Sequence, residues 1–124
     1  MKNIKNWEKF NEAWEEPSWE LADGTKLTYS DILPYAKLRK YVPTIELKSI
    51  MTSEDKDMNR VEKADYKNYP ILVTEEDGEY TRILDGNHRV QSALIDDWKR
   101  LDVYVLNIDQ FDENSDIKRL FTIK

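Results

Sequence analysis

The chain contains no cysteine, one histidine and only three glycines among its 124 residues. The lack of cysteine excludes disulfides, thiolate metal sites and cysteine nucleophiles, and a lone histidine cannot build a His-rich zinc site. No apolar run approaches the ~18 residues that a membrane-spanning helix needs. The polar N-terminal residues are not typical of a signal peptide. We therefore expect a cytoplasmic protein without a membrane partner.

Positive charge is also in short supply. The formal net charge is −6 and the sequence pI is about 4.9, which disfavours nucleic acid as a partner because backbone-driven binding needs a basic face. Much of the excess lies in residues 8–23, where six carboxylates face a single lysine, Lys9. This stretch is either a solvated helix face or an acidic surface that mimics DNA or docks a basic protein partner.

The length and the regular apolar pattern predict one α+β domain with a small mixed sheet and flanking helices. The first predicted elements are an N-terminal helix with an apolar, mainly aromatic stripe of Ile4, Trp7, Phe10 and Trp14, a hairpin around Asp23-Gly24 and a helix after Ser30 or Asp31. A strand in "PTIELKSI" and a short helix capped by Ser53 follow. The last predicted elements are a hairpin turning at Asp77-Gly78, a helix over 87–98 and a strand over 101–108. The C-terminal residues are open to either a short helix or a closing strand. We assign residues 1–41 to an N-terminal extension and 42–124 to the core.

Two stretches predict which side chains are exposed and which are buried. In "YAKLRKY", Tyr35 and Tyr41 alternate with basic residues, which is typical of an ordinary helix with a solvated face but also of a surface that contacts a nucleotide or nucleic acid. In the helix over 87–98, Val90, Leu94 and Trp98 recur every four residues and are expected on the buried side.

The most informative stretch is the strand-to-helix turn "DGNHR", residues 85–89. The N-terminus of a helix exposes N–H groups and carries a partial positive charge. Gly86 allows the backbone to approach a ligand closely, while Arg89 and His88 supply donors suited to phosphate oxygens. One interpretation is a phosphate site. The other is structural: Asp85 or Asn87 caps the helix, Gly86 makes the turn and Arg89 pairs with an acid.

The stretch "YPILVTEEDGEYTRILDGNHRVQSALIDDWKRLDVYVL" resembles the core of the ParB/sulfiredoxin superfamily, and "VPTIELKSI" resembles the strand that opens that core; together they cover roughly residues 42–106. The shared pattern is a proline-led strand, a hairpin, a strand ending in a Gly-x-His-Arg turn, a helix and a returning strand. The resemblance implies that Asp85, Gly86, Asn87, His88 and Arg89 bind a nucleotide, with ATP or ADP and Mg²⁺ as the expected cofactors.

The chain departs from two branches of that superfamily. Sulfiredoxins carry a cysteine where Asn87 stands, so sulfinic-acid reduction is excluded. Segregation-type ParB proteins carry Gly-Glu-Arg-Arg and a downstream DNA-reading domain, for which the residues after Arg89 leave no room. The most similar turn is the Asp-Gly-His-His-Arg of the free serine kinases, which differs at Asn87. By that resemblance Glu54 is the candidate base.

The expected chemistry is phosphotransfer or nucleotide hydrolysis. Phosphoryl transfer requires positioned cations and a base near the acceptor. Arg89, His88 and the helix N-terminus are candidates to hold the phosphates, Asp85 to bind Mg²⁺, and Glu54 or Asp55 to accept a proton.

Two other functions remain open. The first is a non-enzymatic acidic interaction or inhibitor protein, encoded by a virus or mobile element, that binds a protein partner through the Trp-bearing N-terminal helix. The second is a ParB-like nuclease, which ranks last because the acidic balance gives little help in holding DNA.

Overall fold

A computed structural model of the protein describes residues 17–51 and 65–122. The predicted N-terminal aromatic helix and the predicted helix capped by Ser53 lie outside these residues, as do Glu54 and Asp55. The described strands are β1 (Ser18–Glu20), β2 (Lys26–Thr28), β3 (Lys37–Pro43), β4 (Ile71–Glu76), β5 (Glu79–Asp85) and β6 (Arg100–Asn107). The described helices are α1 (Tyr29–Ile32), α2 (Thr44–Lys48), α3 (Asn87–Ile95) and α4 (Asp116–Phe121), with short 3₁₀ turns at Leu33–Tyr35 and Ile108–Gln110.

A four-stranded mixed sheet with strand order β3-β6-β4-β5 forms the centre of the fold. Strand β6 runs parallel to β4, whereas the β3–β6 and β4–β5 pairs are antiparallel. Strands β1 and β2 form a separate antiparallel hairpin. The predicted α+β class with a small mixed sheet is therefore confirmed.

Apolar side chains cover both faces of the sheet. Successive residues of β4 and β6 point to opposite faces of the sheet, and a separate apolar cluster packs on each face. One face packs against α2 and α3 through Val42, Leu47, Ile71, Val73, Ile83, Val90, Ala93, Leu101, Val103 and Val105. The other packs against the β1–β2 hairpin, α1 and α4 through Ile32, Leu72, Leu84, Leu106, Ile108, Ile117 and Phe121.

Both predicted hairpins are present, each turning at an Asp-Gly pair. In the β4–β5 turn, Asp77 and Gly78 have φ angles of 51° and 80°, which is the left-handed backbone that Asp-Gly adopts in two-residue hairpin turns. In the β1–β2 turn Gly24 has φ 90°. The C-terminal residues, for which helix and strand were both open, form α4, which is capped by the Ser115 side chain accepting from Lys118 N.

The prediction of a helix over residues 35–41 was wrong. Helix α1 begins at Tyr29, before the predicted start after Ser30 or Asp31, and its capping box joins Thr28 to Asp31, but "YAKLRKY" does not continue as a helix. Its residues 37–41 belong to strand β3, which pairs with β6 from Lys37 opposite Val105 to Pro43 opposite Arg100. This strand crosses the predicted boundary between residues 41 and 42, so the sheet includes residues on both sides of it.

The prediction of a strand in "PTIELKSI" was also wrong, because residues 44–48 form helix α2. Thr44 and Leu47 are buried, and their spacing of three places them on one face of a helix. Thr44 is also held by two carbonyl groups of the segment between α3 and β6: its backbone N donates to Lys99 O at 2.8 Å and its Oγ1 donates to Trp98 O at 2.6 Å.

Candidate functional site

Gly86 makes the turn between β5 and α3. Its φ of 114° and ψ of 17° lie in the left-handed region, and it occupies the N-cap position of the nine-residue helix α3. A Cβ atom at this position would lie 2.8 Å from Ile71 Cδ1 and 3.1 Å from Ile71 Cγ2. Glycine is therefore required twice, once by the backbone angle and once by the close approach of the turn to the first residue of β4.

Arg89 fixes the turn from inside the protein. Its Nη2 donates to Asp85 Oδ2 at 2.5 Å, and its Nη1 donates to the carbonyl oxygens of Tyr69 at 3.0 Å and Pro70 at 2.9 Å. Only 17% of the Arg89 side chain and 20% of the Asp85 side chain are exposed. The guanidinium thus links the end of β5, the first turn of α3 and the residues that precede β4.

This geometry matches the structural interpretation of Arg89, in which the arginine pairs with an acid. The charge of Arg89 is largely offset by Asp85, so the positive potential at the turn comes mainly from the N-terminus of α3, which is equivalent to about half an elementary charge. The first intrahelical hydrogen bond runs from Val90 N to Gly86 O at 2.9 Å. In an α-helix the N–H groups that precede this first bond have no acceptor within the helix.

The remaining residues of the motif, Asn87 and His88, are brought to the same place by the first turn of α3. Both are partly buried, and the Nε2 atom of His88 is shielded from solvent. The structure therefore gathers five predicted residues, Asp85 to Arg89, around one helix end, while Glu54 lies outside the described residues.

The predicted Mg²⁺ site at Asp85 is not part of a cluster of metal-binding side chains in the described residues. In residues 17–51 and 65–122, no three His, Cys, Asp or Glu side chains are grouped so that they could hold a metal ion. A Mg²⁺ ion at Asp85 would also compete with the Arg89 guanidinium for the carboxylate. The metal role of Asp85 stays a prediction.

Tyr29 is a neighbour of the turn that sequence reasoning missed. Burial, followed by the negative charge of Asp85, raises the pKa of the Tyr29 hydroxyl to about 12, while Arg89 acts in the opposite direction. Tyr29 is the first residue of α1 and also packs against the apolar cluster on that side of the sheet. Because it is distant from residues 85–89 in sequence, no local signal could have placed it there.

Comparison of the chain with protein-family models, curated proteins and solved structures found no match. Among the helices of the described residues, none combines the length and apolar character needed to cross a membrane.

Proposed function

We propose that this protein binds a nucleotide, with the phosphate groups placed at the N-terminus of α3 beside Gly86. The observation that carries the proposal is the left-handed Gly86, which follows strand β5 directly and opens a nine-residue helix. A helix end of this kind presents several N–H groups to an anion, and the missing Cβ allows a phosphate to approach the backbone.

The arrangement around the turn supports the same proposal. Pro70 precedes β4, and β5, the turn, α3 and β6 follow in the order of the superfamily pattern that the sequence resembles. Strand β5 pairs antiparallel with β4, with Asp85 opposite Leu72, which places the start of β4, the end of β5 and the N-terminus of α3 at one end of the sheet. A ligand at this end contacts backbone from the turn rather than a set of long side chains.

The structure changes the role we assign to Arg89 within this proposal. A phosphate that contacted Arg89 directly would compete with Asp85 for Nη2, so the arginine acts mainly by holding the first turn of α3 in position. The phosphate contacts are assigned to the N–H groups of residues 86–89 and to the side chain of Asn87, because the Nε2 atom of His88 is shielded from solvent. Phosphotransfer or nucleotide hydrolysis, with Glu54 as base, is a further step that binding alone does not establish.

The test is calorimetric titration of the full chain with ATP, ADP and CTP, each with and without Mg²⁺. The decisive variant is Asn87→Asp, which places a carboxylate of nearly the same shape in the first turn of α3. Negative charge at a helix N-terminus stabilises the helix, so the variant is expected to fold at least as well as the wild type while repelling phosphate.

The matched control is Gln91→Glu, which adds the same charge one turn further along α3, where the helix end has less influence. We expect Asn87→Asp to weaken nucleotide binding at least about tenfold, equivalent to about 1.4 kcal/mol, and Gln91→Glu to change it much less. The proposal fails if the wild type binds none of the three nucleotides, or if Asn87→Asp binds them as tightly as the wild type.

A further inference from the structure

Trp98 projects from the surface where β6 begins, although the sequence predicts it on the buried side of α3. It follows the end of α3, and 43% of it is exposed; Tyr41 beside it is 68% exposed and Ile45 is 65% exposed. Trp98 forms a wall of two adjoining cavities of about 460 and 330 Å³. We call this region the Trp98 surface and define it by Tyr41, Ile45, Tyr66, Lys67, Trp98 and Arg100.

The backbone of Trp98 is held in place by its surroundings. Its backbone N–H donates to Ala93 O at 2.8 Å, and its backbone carbonyl oxygen accepts from Thr44 Oγ1 at 2.6 Å. The ring of Tyr66 lies 5.7 Å from the ring of Trp98, and the Tyr66 hydroxyl donates to Asp96 Oδ2 at 2.5 Å. The surface is therefore preorganised, which lowers the entropic cost of binding a partner.

Backbone strain is concentrated at the same surface. Three non-glycine residues in the described ranges 17–51 and 65–122 have positive φ. Asp77 belongs to a hairpin turn that requires this conformation, but Tyr41 with φ 62° and Asp97 with φ 56° both line the larger cavity. A left-handed backbone costs a tyrosine roughly 1–2 kcal/mol. Tyr41 lies at the register shift in β3, between Arg39 and Val42. Its ring is exposed, so packing in the core does not offset the backbone strain.

The charges of the surface favour an anionic partner. Lys67 Nζ lies 4.8 Å from the centroid of the Trp98 ring and 5.8 Å from that of Tyr66. Lys99 forms an ion pair with Asp97 at 2.5 Å. The other charged residues that line the larger cavity are two cations, Lys67 and Arg100, and one carboxylate, Asp102. The lining of the larger cavity thus carries one excess positive charge, while Asp96, which accepts from Tyr66, lies outside this lining; the whole chain has a net charge of −6.

We infer that the Trp98 surface docks an acidic segment of a partner protein, which inserts an aromatic or aliphatic side chain beside Tyr41 and Trp98. The carboxylates of that segment lie near Lys67 and Arg100, where their charge is complementary. Tryptophan, tyrosine and arginine are the residues that contribute most often to strong protein–protein contacts. A cationic ligand is disfavoured because it would have to displace Lys67 from the rings.

A nucleic acid is disfavoured for a different reason. Its continuous phosphate charge needs an extended basic face, whereas Asp97 and Asp102 interrupt this surface. A peptide needs only the local match between one apolar side chain, the aromatic wall and two nearby cations.

The experiment is calorimetric titration of the full chain with a short synthetic peptide of glutamates around one central tryptophan. Three further probes are the same peptide with alanine in place of tryptophan, the same peptide with lysines in place of glutamates, and oligothymidylate. We expect the glutamate–tryptophan peptide to bind most tightly and its affinity to fall with added salt, because exposed charges are screened.

The variants separate binding from folding. Tyr41→Gly removes the ring and relieves the left-handed strain, so it is expected to fold at least as well as the wild type while losing at least about tenfold in affinity. Arg100→Glu is expected to weaken binding similarly by reversing a charge. Tyr35→Ala is the control, since Tyr35 is a 52% exposed tyrosine that precedes the other end of β3.

Four results would overturn the inference: no binding of the glutamate–tryptophan peptide, equal binding by Tyr41→Gly, tighter binding of the lysine peptide, or capture of oligothymidylate that Tyr41→Gly abolishes. Light scattering on the full chain adds a fifth. Self-association that Tyr41→Gly abolishes would identify a second copy of the chain as the occupant and exclude the proposed partner.

Discussion

Arg89 and Asp85 stand on either side of Gly86 and are joined by a hydrogen bond of 2.5 Å between Nη2 and Oδ2. The pair spans the turn at Gly86, and Nη1 of the same guanidinium donates to the carbonyl oxygens of Tyr69 and Pro70. A residue suited to binding a ligand thus serves first to fix the geometry of the turn. The stability of the fold and the shape of the proposed site depend on the same side chain.

Replacing Arg89 should therefore destabilise the protein itself. In Arg89→Ala, the partly buried carboxylate of Asp85 and two carbonyl groups lose their donor, and we expect the free energy of unfolding to fall by about 2–3 kcal/mol. Arg89→Lys should recover only part of this loss because an ammonium group cannot reproduce the planar fork of donors. Urea unfolding monitored by circular dichroism measures both changes.

The control for that prediction is Arg119→Ala. Arg119 pairs with Asp23 and Asp116, but 44% of its side chain is exposed, so its loss should cost less than about 1 kcal/mol. If Arg89→Ala costs no more than Arg119→Ala, Arg89 does not hold the turn.

Gly86 should tolerate no side chain, because a Cβ would contact Ile71 Cδ1 at 2.8 Å. Gly86→Ala combines this clash with a left-handed backbone, and we expect it to cost at least about 2 kcal/mol. Gly78→Ala is the matched control: its φ is also positive, at 80°, but a Cβ there meets nothing within 4 Å. That variant should cost only the backbone penalty of about 1–2 kcal/mol.

A double-mutant cycle isolates the steric part of the Gly86 effect. Ile71→Val removes Cδ1 and costs about 0.5–1.5 kcal/mol alone. Combined with Gly86→Ala, it should cost clearly less than the sum of the two single changes. Strict additivity in urea unfolding would show that the clash is not the cause.

The parts of the fold that the sequence predicts are those with a local signal. The two Asp-Gly pairs determine their hairpins, and the alternation of Leu101, Val103 and Val105 identifies β6 as a strand. Strand β3 has no such signal, since Lys37 to Tyr41 are all exposed and Val42 alone is buried. What makes it a strand is its pairing with β6, which is distant in sequence.

The same limit applies to helix α2 and to the candidate site. Helix α2 has only five residues, too few for a helical repeat to appear, and Thr44 is fixed by carbonyls of Trp98 and Lys99. At the turn, the sequence identifies the right residues in the right setting. It leaves the direction of the Arg89 side chain open, because this depends on the carbonyls of residues 69 and 70.

Acid should weaken the contact between the β1–β2 turn and α4. The pKa of Asp23 is lowered to about 2, first because Thr25 N donates to its carboxylate, next through the Thr25 side chain and then through Arg119. A lowered pKa stabilises the fold above the unfolded value of 3.8, and this contribution disappears as the pH falls from there towards 2. Asp23→Asn should therefore lose less stability than the wild type over this range.

The measurement is thermal unfolding of both proteins from neutral pH down to about pH 2. Asp112→Asn serves as control because it removes the same charge from another part of the described chain. If the wild type and Asp23→Asn lose the same thermal stability as the pH falls, whatever their difference at neutral pH, the stability lost in acid does not come from Asp23.

Alkaline pH should act on Tyr66, which belongs to the Trp98 surface. Its hydroxyl donates to Asp96 Oδ2 at 2.5 Å, and this hydrogen bond, followed by burial, raises the pKa of Tyr66 from 10.0 to about 12. Since the neutral phenol is favoured in the folded state, the contribution is complete below pH 10 and is lost as the pH rises towards 12. Tyr29 has a raised pKa of about 12 as well, so two tyrosines act in this range.

Tyr66→Phe should therefore lower the stability at neutral pH, because Asp96 loses its donor, and reduce the loss between pH 10 and pH 12 without abolishing it. Urea unfolding across this range measures the effect, and ultraviolet titration of the folded protein follows the tyrosines directly. Tyr35→Phe, at an exposed ring, provides the comparison and should retain the full alkaline loss. If Tyr66→Phe retains it too, the hydrogen bond to Asp96 does not favour the neutral phenol.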